Sequence, residues 1–387
     1  MDIRTFKVER WMNEYEDHCT YNLAETCIDS LSIRELLEIC GEDVGSYMLK
    51  LADTRLTYSH IYGSPELLEG IAGLYKEAKP EHILPTHGAI GANNLVINTV
   101  ISAEDNMVSV LPTYQQHYSI PESIGAEVRI LNLNLENHFL PDMDQLRSLV
   151  DENTKMITIN NPNNPSGSII PLKQMEEIVE VARSVGAYVL CDEVYRGISE
   201  DGSYMPSIVD IYEKGISVGS MSKIFSMAGL RLGWIAARDE ELMERFKERR
   251  DYDTISCGVI DDQLAALALK NKEKVYERNS KILLQNSDDP EVYIALLREF
   301  YDTLEDQAKN LDGFKAAQDL ENYTILAHSM KSSLRLLGIE ELGEEAFGLE
   351  MAGKNQDTGY IESHHDGFLE AFRGLKQPLA KVFYLLG

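Results

Sequence analysis

Ser220-Met221-Ser222-Lys223, with Arg231 following in Gly229-Leu230-Arg231-Leu232-Gly233-Trp234, comes directly after the apolar run at residues 216–218. A lysine among small hydroxyl residues past an apolar strand reads as an amine held in a pocket. Such an amine can condense with a carbonyl group. Taken alone, a solvated surface lysine is the more ordinary reading, so the meaning of the stretch depends on what surrounds it.

Upstream, short apolar runs alternate with helical patterns. Residues 187–191 read as a strand with Asp192 and Tyr195 just past its end, and residues 172–185 as a helix closed by Gly186. Residues 155–160 form another strand, which ends in the polar turn Asn160-Asn161-Pro162-Asn163-Asn164-Pro165-Ser166-Gly167. A strand at 107–111 runs into Pro112-Thr113-Tyr114, then a helix to Gly125 and a strand at 127–133. Ile83-Leu84-Pro85-Thr86-His87-Gly88-Ala89-Ile90-Gly91-Ala92 reads as a strand, a glycine turn and a helix through Val100. The first-turn amides of that helix offer an anion site, although an ordinary strand–helix turn has the same pattern. Nearer the start, Pro65 opens an amphipathic helix bearing Leu67, Leu68, Ile71 and Leu74. Ser32 and Glu35 form a capping box for a helix through Leu36, Leu37 and Ile39 to Gly41. Residues 5–18 carry Phe6, Val8, Trp11, Met12 and Tyr15 on one helical stripe.

Downstream, residues 232–237 are a further strand and 241–286 are helical and charged. Strands alternating with helices predict an α/β fold, a mostly parallel sheet with helices on both faces. Tyr114, Asn164, Asp192 and Lys223 all follow strand ends, where the ligand crevice of such a sheet lies. Ser287-Asp288-Asp289-Pro290 then breaks the pattern, and the strand signal stops. Val292, Leu296, Leu297, Phe300 and Leu304 form one stripe; Ile325, Leu326, Leu334 and Leu337 form a second, ending at Gly338. Leu342, Ala346, Leu349 and Glu350 form a third, and residues 361–375 a fourth. These predict an all-α up–down four-helix bundle. The expected division is a module over 1–287 (an N-terminal segment 1–45 and a large domain 46–287) and a bundle over 288–387.

The 387 residues suffice for two or three domains. The net charge of −28, of which roughly −10 follows Ser287, argues against nucleic-acid or anionic-membrane partners. Cys19, Cys27, Cys40, Cys191 and Cys257 are odd in number and lack CxxC spacing, which suits a reducing cytoplasm better than a disulfide framework. The charged start lacks the apolar core of a signal peptide, and no apolar run is long enough to span a bilayer. A soluble cytoplasmic protein is expected. No residue set reads as a metal site: His364 and His365 share a polar turn with Asp366, but nothing else clusters with them.

Read individually, Tyr114 could be core, Asp192 a helix cap and Ser220 a turn residue. As an ordered set they carry more. Tyr62-Gly63-Ser64-Pro65-Glu66-Leu67, Thr86-His87-Gly88, Asn163-Asn164-Pro165-Ser166-Gly167, Cys191-Asp192-Glu193-Val194-Tyr195 and Ser220-Met221-Ser222-Lys223 with Arg231 resemble the class I/II aminotransferases, fold-type I pyridoxal-phosphate enzymes, over residues 1 to about 286. The resemblance implies pyridoxal phosphate as cofactor and amino-group transfer between an amino acid and a 2-oxo acid. Lys223 would be the Schiff-base lysine and proton shuttle, and Asp192 the partner of the pyridinium nitrogen. Asn164 and Tyr195 would bind the ring oxygen, and Tyr114 would stack on the ring. The amides of Ala89 and Ile90, with Ser220 and Arg231, would hold the phosphate, and Tyr58 would reach the phosphate of a neighbouring subunit in a homodimer. Family members continue with a segment that completes a small α/β domain and carries the arginine for the substrate α-carboxylate. Here helical patterns stand in its place. The N-terminal helix is therefore expected to expose apolar surface that the bundle or a second subunit would cover.

Residues 290–375 resemble a histidine phosphotransfer (HPt) domain through His328-Ser329-Met330-Lys331-Ser332-Ser333 and Leu337-Gly338. His328 and Lys331 share a helix face. The resemblance implies His328 as phosphoryl acceptor, Lys331 as its charge support, and Ser332, where that family usually has glycine, as a small residue admitting a receiver or histidine kinase domain. Two functions are thus expected: aminotransferase chemistry at Lys223 or, alternatively, phosphorelay signalling at His328 with the first module as a ligand sensor or scaffold.

Overall fold

The structure is a computed structural model of the chain. It describes residues 3–16, 18, 26–58, 60–197, 205–287, 290–337 and 339–386. Cys19, Asp288, Asp289 and Gly338 lie outside the described residues, as do the side chains of Val292 and Leu296. The chain forms two compact units, Met1–Leu284 and Gln285–Gly387.

The first unit is built on seven strands: β1 (Ile83–His87), β2 (Asn106–Leu111), β3 (Glu127–Asn132), β4 (Thr154–Asn160), β5 (Tyr188–Asp192), β6 (Gly215–Ser220) and β7 (Leu232–Ala237). Their order across the sheet is β1-β7-β6-β5-β4-β2-β3. β3, β2, β4, β5 and β6 pair in parallel, whereas β7 is antiparallel to both β6 and β1. The reason is covalent. A parallel return needs a crossover of about a dozen residues or more, usually a helix. The β6–β7 link holds only a short 3-10 turn at Ala228–Leu230, so the chain doubles back.

The helices of this unit are α1 (Lys7–Tyr15), α2 (Ile33–Cys40), α3 (Val44–Ala52), α4 (Pro65–Ala72), α5 (Gly88–Val100), α6 (Gln116–Ile124), α7 (Met143–Leu149), α8 (Leu172–Val185), α9 (Ile208–Ile211), α10 (Glu240–Arg250) and α11 (Val259–Lys270); α12 (Lys272–Ser287) follows. Two apolar cores result. Residues of α2, α4, α8, α9 and α11 pack with the sheet in one, and those of α5 and α10 with Met107, Leu190 and Ile235 in the other. Strands apolar along their whole length are what a sheet covered on both sides requires. The mostly parallel α/β sheet expected from the sequence is what forms.

Details differ from the sequence reading. α1 covers only Lys7–Tyr15 of the expected 5–18, and none of its residues is buried. Val8, Trp11 and Tyr15 are exposed, so the stripe they form is an outward face. α3 was not anticipated; its signal is Asp43, whose carboxylate accepts from the Ser46 amide as an N-cap. The capping box at Ser32 and Glu35 is present, and Gly41 ends α2 in the left-handed conformation.

Arg250, at the end of α10, is buried and donates to the carbonyls of Pro85 (2.9 Å), Ile61 (2.6 Å) and Ile255 (2.7 Å). One guanidinium therefore ties β1 to two loops. Arg250→Met should cost roughly 3 kcal/mol, because it leaves three carbonyls to find other partners. A urea-unfolding midpoint equal to that of the unsubstituted protein would contradict this.

The second unit is helical: α13 (Pro290–Ala316), α14 (Leu320–Leu336), α15 (Glu340–Lys354), α16 (Thr358–Gly374) and α17 (Lys376–Leu386). Four helices were expected, and α17 is a fifth. Its Leu379 is buried in the bundle core and Phe383 packs against it. The core joins Leu304, Leu311, Tyr323, Met330, Leu334, Leu349, Phe368 and Phe372. No described helix is long and apolar enough to cross a membrane.

Candidate functional site

The antiparallel placement of β7 creates the site. β1 and β6 both end where β7 begins, with His87 opposite Leu232 and Ser220 opposite Gly233. The start of α5 therefore lies beside the β6–β7 loop that carries Lys223 and Arg231. A Cβ at Gly233 would overlap the backbone of Gly88 and Ala89, so only glycine allows this approach. Gly88 has φ +67°, and a Cβ there would lie 3.0 Å from Arg231 Nη2. The first-turn amides of α5, a helix with no acidic residue in that turn, thus adjoin a guanidinium. This is an anion cradle. Arg231 and Tyr58 line one open cavity of about 920 Å³ with His87, Cys257 and Asp261. Ser220 is buried and its hydroxyl accepts from the Ser222 amide (3.2 Å).

Asp192 ends β5 and is buried. Its carboxylate accepts from Asn93 Nδ2 (2.8 Å) and from the Val194 amide (3.2 Å). His117 Nε2 lies 3.7 Å away, beyond hydrogen-bond reach. His117 Nε2 and Asn93 Oδ1 are buried and lack hydrogen-bond partners. Buried polar atoms are normally paired, and these two flank a buried carboxylate, an arrangement suited to a ligand group.

Lys223 Nζ donates to Thr26 Oγ1 (2.9 Å) and to Cys27 Sγ (3.1 Å), and it stands 5.9 Å from the centre of the Tyr195 ring. The Tyr195 hydroxyl donates to Thr26 Oγ1 (2.8 Å) and receives a long bond from Asn164 Nδ2 (3.5 Å). Burial raises the Tyr195 phenol, while the Lys223 charge opposes the rise. The Tyr114 hydroxyl donates to Glu9 Oε1 (2.7 Å). Burial, then that bond, push its phenol well above the ordinary range, with the charges of Asp192 and Tyr195 adding to the rise. Tyr114, Asn164, Asp192, Tyr195 and Lys223 therefore gather at the carboxyl ends of β2, β4, β5 and β6.

The profile of the family described as aminotransferase class I and II matches residues 35–328. The chain belongs to this family. The match runs past residue 286, where the motif resemblance stops. A solved pyridoxal-phosphate-dependent aminotransferase from Streptococcus suis is similar, with 41% identity and a TM-score of 0.69, over 80% of this chain and 78% of that one. Aspartate aminotransferase of Pyrococcus horikoshii is 31% identical over 49% of this chain and 50% of its own length. Capreomycidine synthase of Streptomyces vinaceus is 26% identical over 54% of each. The chain spans about half the length of these curated relatives.

The cofactor of this aminotransferase family is pyridoxal phosphate, and the residues present fit it. The orphaned Asn93 Oδ1 and His117 Nε2 stand beside the Asp192 carboxylate, an amine is at hand on the β6 loop, and α5 with Arg231 supplies a phosphate-sized cradle. Four residues at this site escaped the sequence reading. Asn93 donates to Asp192 and His117 lies beside it, and Thr26 and Cys27 face Lys223. The signal for Asn93 was present: with Asn94 it interrupts the apolar start of the helix, Gly88-Ala89-Ile90-Gly91-Ala92-Asn93-Asn94-Leu95-Val96. Thr26 and Cys27 carried none, because long-range folding brings them there.

In the second unit, His328 lies on α14 with its side chain 57% exposed. Its Nδ1 is 3.0 Å from Oε1 of Glu350, a carboxylate on α15 that is only 1% exposed. Glu350 also accepts from Lys331 Nζ (2.6 Å) and from Lys354 Nζ. Burial by itself would raise the Glu350 carboxyl, but the bonds from Lys331, Lys354 and His328 outweigh it and hold it at about 2. Lys331 thus lies on the Nδ1 side of the imidazole, 3.2 Å from that nitrogen. Ser332 is exposed, and its hydroxyl donates to the His328 carbonyl (2.9 Å).

At another place in the bundle His365 is buried, with Nδ1 3.0 Å from the Tyr323 hydroxyl and Nε2 3.3 Å from Asp312. Burial depresses this imidazole, against the Asp312 bond. Among the described residues no group of three His, Cys, Asp or Glu could hold a metal. Both groups make the bundle acid-sensitive. A depressed histidine contributes stability above its ordinary pKa of about 6.5 that is lost as pH falls below it. Glu350 contributes stability that is lost between its ordinary value near 4.5 and about 2. Urea midpoints followed by helical circular dichroism should therefore decline in two stages on acidification, and His365→Phe should remove the first.

Proposed function

We propose that this chain moves an amino group between an amino acid and a 2-oxo acid. The observation that carries the reading is the convergence of buried Asp192, the Lys223 amine and the Arg231–α5 cradle on neighbouring strand ends. When bound, pyridoxal phosphate supplies the aldehyde that takes the amino group and the ring that accepts the electrons of the bond broken at the α-carbon. Lys223 Nζ would hold the cofactor's aldehyde group and would carry a proton to and from the substrate α-carbon. Asp192, steadied by Asn93 and the Val194 amide, would keep the ring nitrogen protonated. Tyr114 would stack on the ring, and Asn164 and Tyr195 would hold its oxygen. The Ala89 and Ile90 amides, Ser220 and Arg231 would bind the phosphate. Tyr58 serves a neighbouring subunit in a homodimer, a reading supported by its exposure beside exposed Leu56. The module spans 1–287, with the bundle over 288–387. The test is a visible absorption spectrum with added pyridoxal phosphate, followed by a panel of amino acids. A band that one amino acid shifts supports the reading, and the lack of any band removes it.

A second reading rests on a separate observation, the His328–Glu350 bond. A buried carboxylate that accepts from Nδ1–H fixes the tautomer and leaves Nε2 with its lone pair towards solvent. In a histidine phosphotransfer step, Nε2 attacks the phosphorus of an acyl phosphate on a receiver domain. The N–P bond forms as the P–O bond to the carboxylate breaks, and Nδ1 keeps its proton, hydrogen-bonded to Glu350. A panel of receiver domains loaded with radiolabelled phosphate tests this by transfer of label to the chain.

A further inference from the structure

Segment 26–31 is fastened over the β6 loop. Ile28 is buried, the Leu31 amide donates to the Ser226 carbonyl (2.8 Å), and Arg278 of α12 donates to the Asp29 carbonyl (2.6 Å) and carboxylate (3.3 Å). These contacts set half-buried Cys27 with its sulfur 3.1 Å from Lys223 Nζ. The other described cysteines differ. Burial raises the thiols of Cys40 and Cys191 and pushes that of Cys257 up to about 12. A thiol beside an ammonium favours its thiolate, the form that peroxides attack, whereas a buried neutral thiol is inert.

We propose that Cys27 and Lys223 form a reversible N–S cross-link under peroxide, which closes the site. In the first step the Cys27 thiolate displaces hydroxide from hydrogen peroxide, and the Lys223 ammonium gives the proton that makes this hydroxide water. Cys27 is now a sulfenic acid and Lys223 a neutral amine, side by side. In the second step the Lys223 nitrogen attacks the Cys27 sulfur. The S–O bond breaks, the N–S bond forms, and the leaving hydroxide takes a proton from nitrogen as a second water. Sulfenic acids are known to condense with nitrogen in this way. Sulfur loses two electrons and the peroxide gains them. Two equivalents of an external thiol return the amine and the thiol with formation of one disulfide. The atoms already stand at hydrogen-bond separation, so closure needs side-chain rotation and no backbone movement. The link itself follows from the geometry alone; its effect on cofactor loading rests on the role proposed for Lys223.

The test treats the 387-residue chain, freed of cofactor, with hydrogen peroxide and maps its peptides after proteolysis without reductant. The expected product is one species joining the Cys27 and Lys223 peptides, lighter by two hydrogens than their sum and released by dithiothreitol. Cys27→Ser and Lys223→Ala should each abolish it, and Cys257→Ser should leave it unchanged. Saturating pyridoxal phosphate, read separately by its visible band, should reduce the link about tenfold or more. Recovery of Cys27 only as sulfinic acid, or an undiminished link in protein that shows the full cofactor band, would overturn the proposal. A normal link in protein that develops no band would count against the aminotransferase reading and leave the cross-link standing.

Discussion

Lys223→Ala is expected to abolish transamination and to leave any bound pyridoxal phosphate uncoupled from the protein. Two functions leave with one nitrogen. The first is the attachment: borohydride reduction should fix the cofactor to the unsubstituted chain at Lys223 and to nothing in the variant. The second is proton transfer at the α-carbon, for which a positioned acid–base group contributes about 10²–10⁴-fold. Loss of at least that factor in turnover is therefore the expected result. The Asp192 pocket does not depend on Lys223, because the donors to its carboxylate are Asn93 Nδ2 and the Val194 amide. The variant should still bind the cofactor, more weakly, and an excess of a small primary amine should return part of the activity. Turnover undiminished in Lys223→Ala would refute the proposed chemistry.

His328→Gln is expected to eliminate label transfer from phosphorylated receiver domains, and Glu350→Gln to reduce it without eliminating it. Glutamine at 328 lacks the ring nitrogen that would take the phosphoryl group. Glutamine at 350 keeps the shape but loses the charge that holds Nδ1–H, so the imidazole samples the wrong tautomer and orientation. Groups that orient a reacting ligand in this way typically contribute about 10–100-fold. The same substitution removes the carboxylate shared by Lys331 and Lys354, with an expected loss of roughly 2–3 kcal/mol in bundle stability at neutral pH. Circular dichroism at the assay temperature separates the two effects: a folded Glu350→Gln bundle with slowed transfer supports the orienting role. Label transfer that survives in His328→Gln would end the phosphotransfer reading.

Much of the first unit was legible because its determinants are local. Apolar runs, capping pairs and glycine stops identify strands and helices within a few residues of their observed bounds, as at α2 with Ser32, Glu35 and Gly41. Asp192 and Lys223 were found because they follow directly after such runs. α1 was less legible: its stripe at Val8, Trp11 and Tyr15 is sound as a pattern, but nothing in the described chain buries it. Periodicity shows which residues share a face and does not supply the surface opposite. In the bundle, Glu350 fell on an apolar stripe beside Ala346 and Leu349. A charge at a core position was the available clue to a buried ionic centre.

By itself the sequence determined the α/β succession, the mainly helical character of the described residues after 290, and the chemical types at the strand ends. These depend on neighbours a few residues apart, and the chain carries them wherever it folds. Tertiary structure alone decided that β7 turns back antiparallel and so brings Arg231 to α5, that Asn93 and His117 face Asp192, that Cys27 faces Lys223, and that Glu350 holds His328. Each of these joins residues distant along the chain. Such pairings are settled by how two apolar cores and one bundle close, and no local pattern records them.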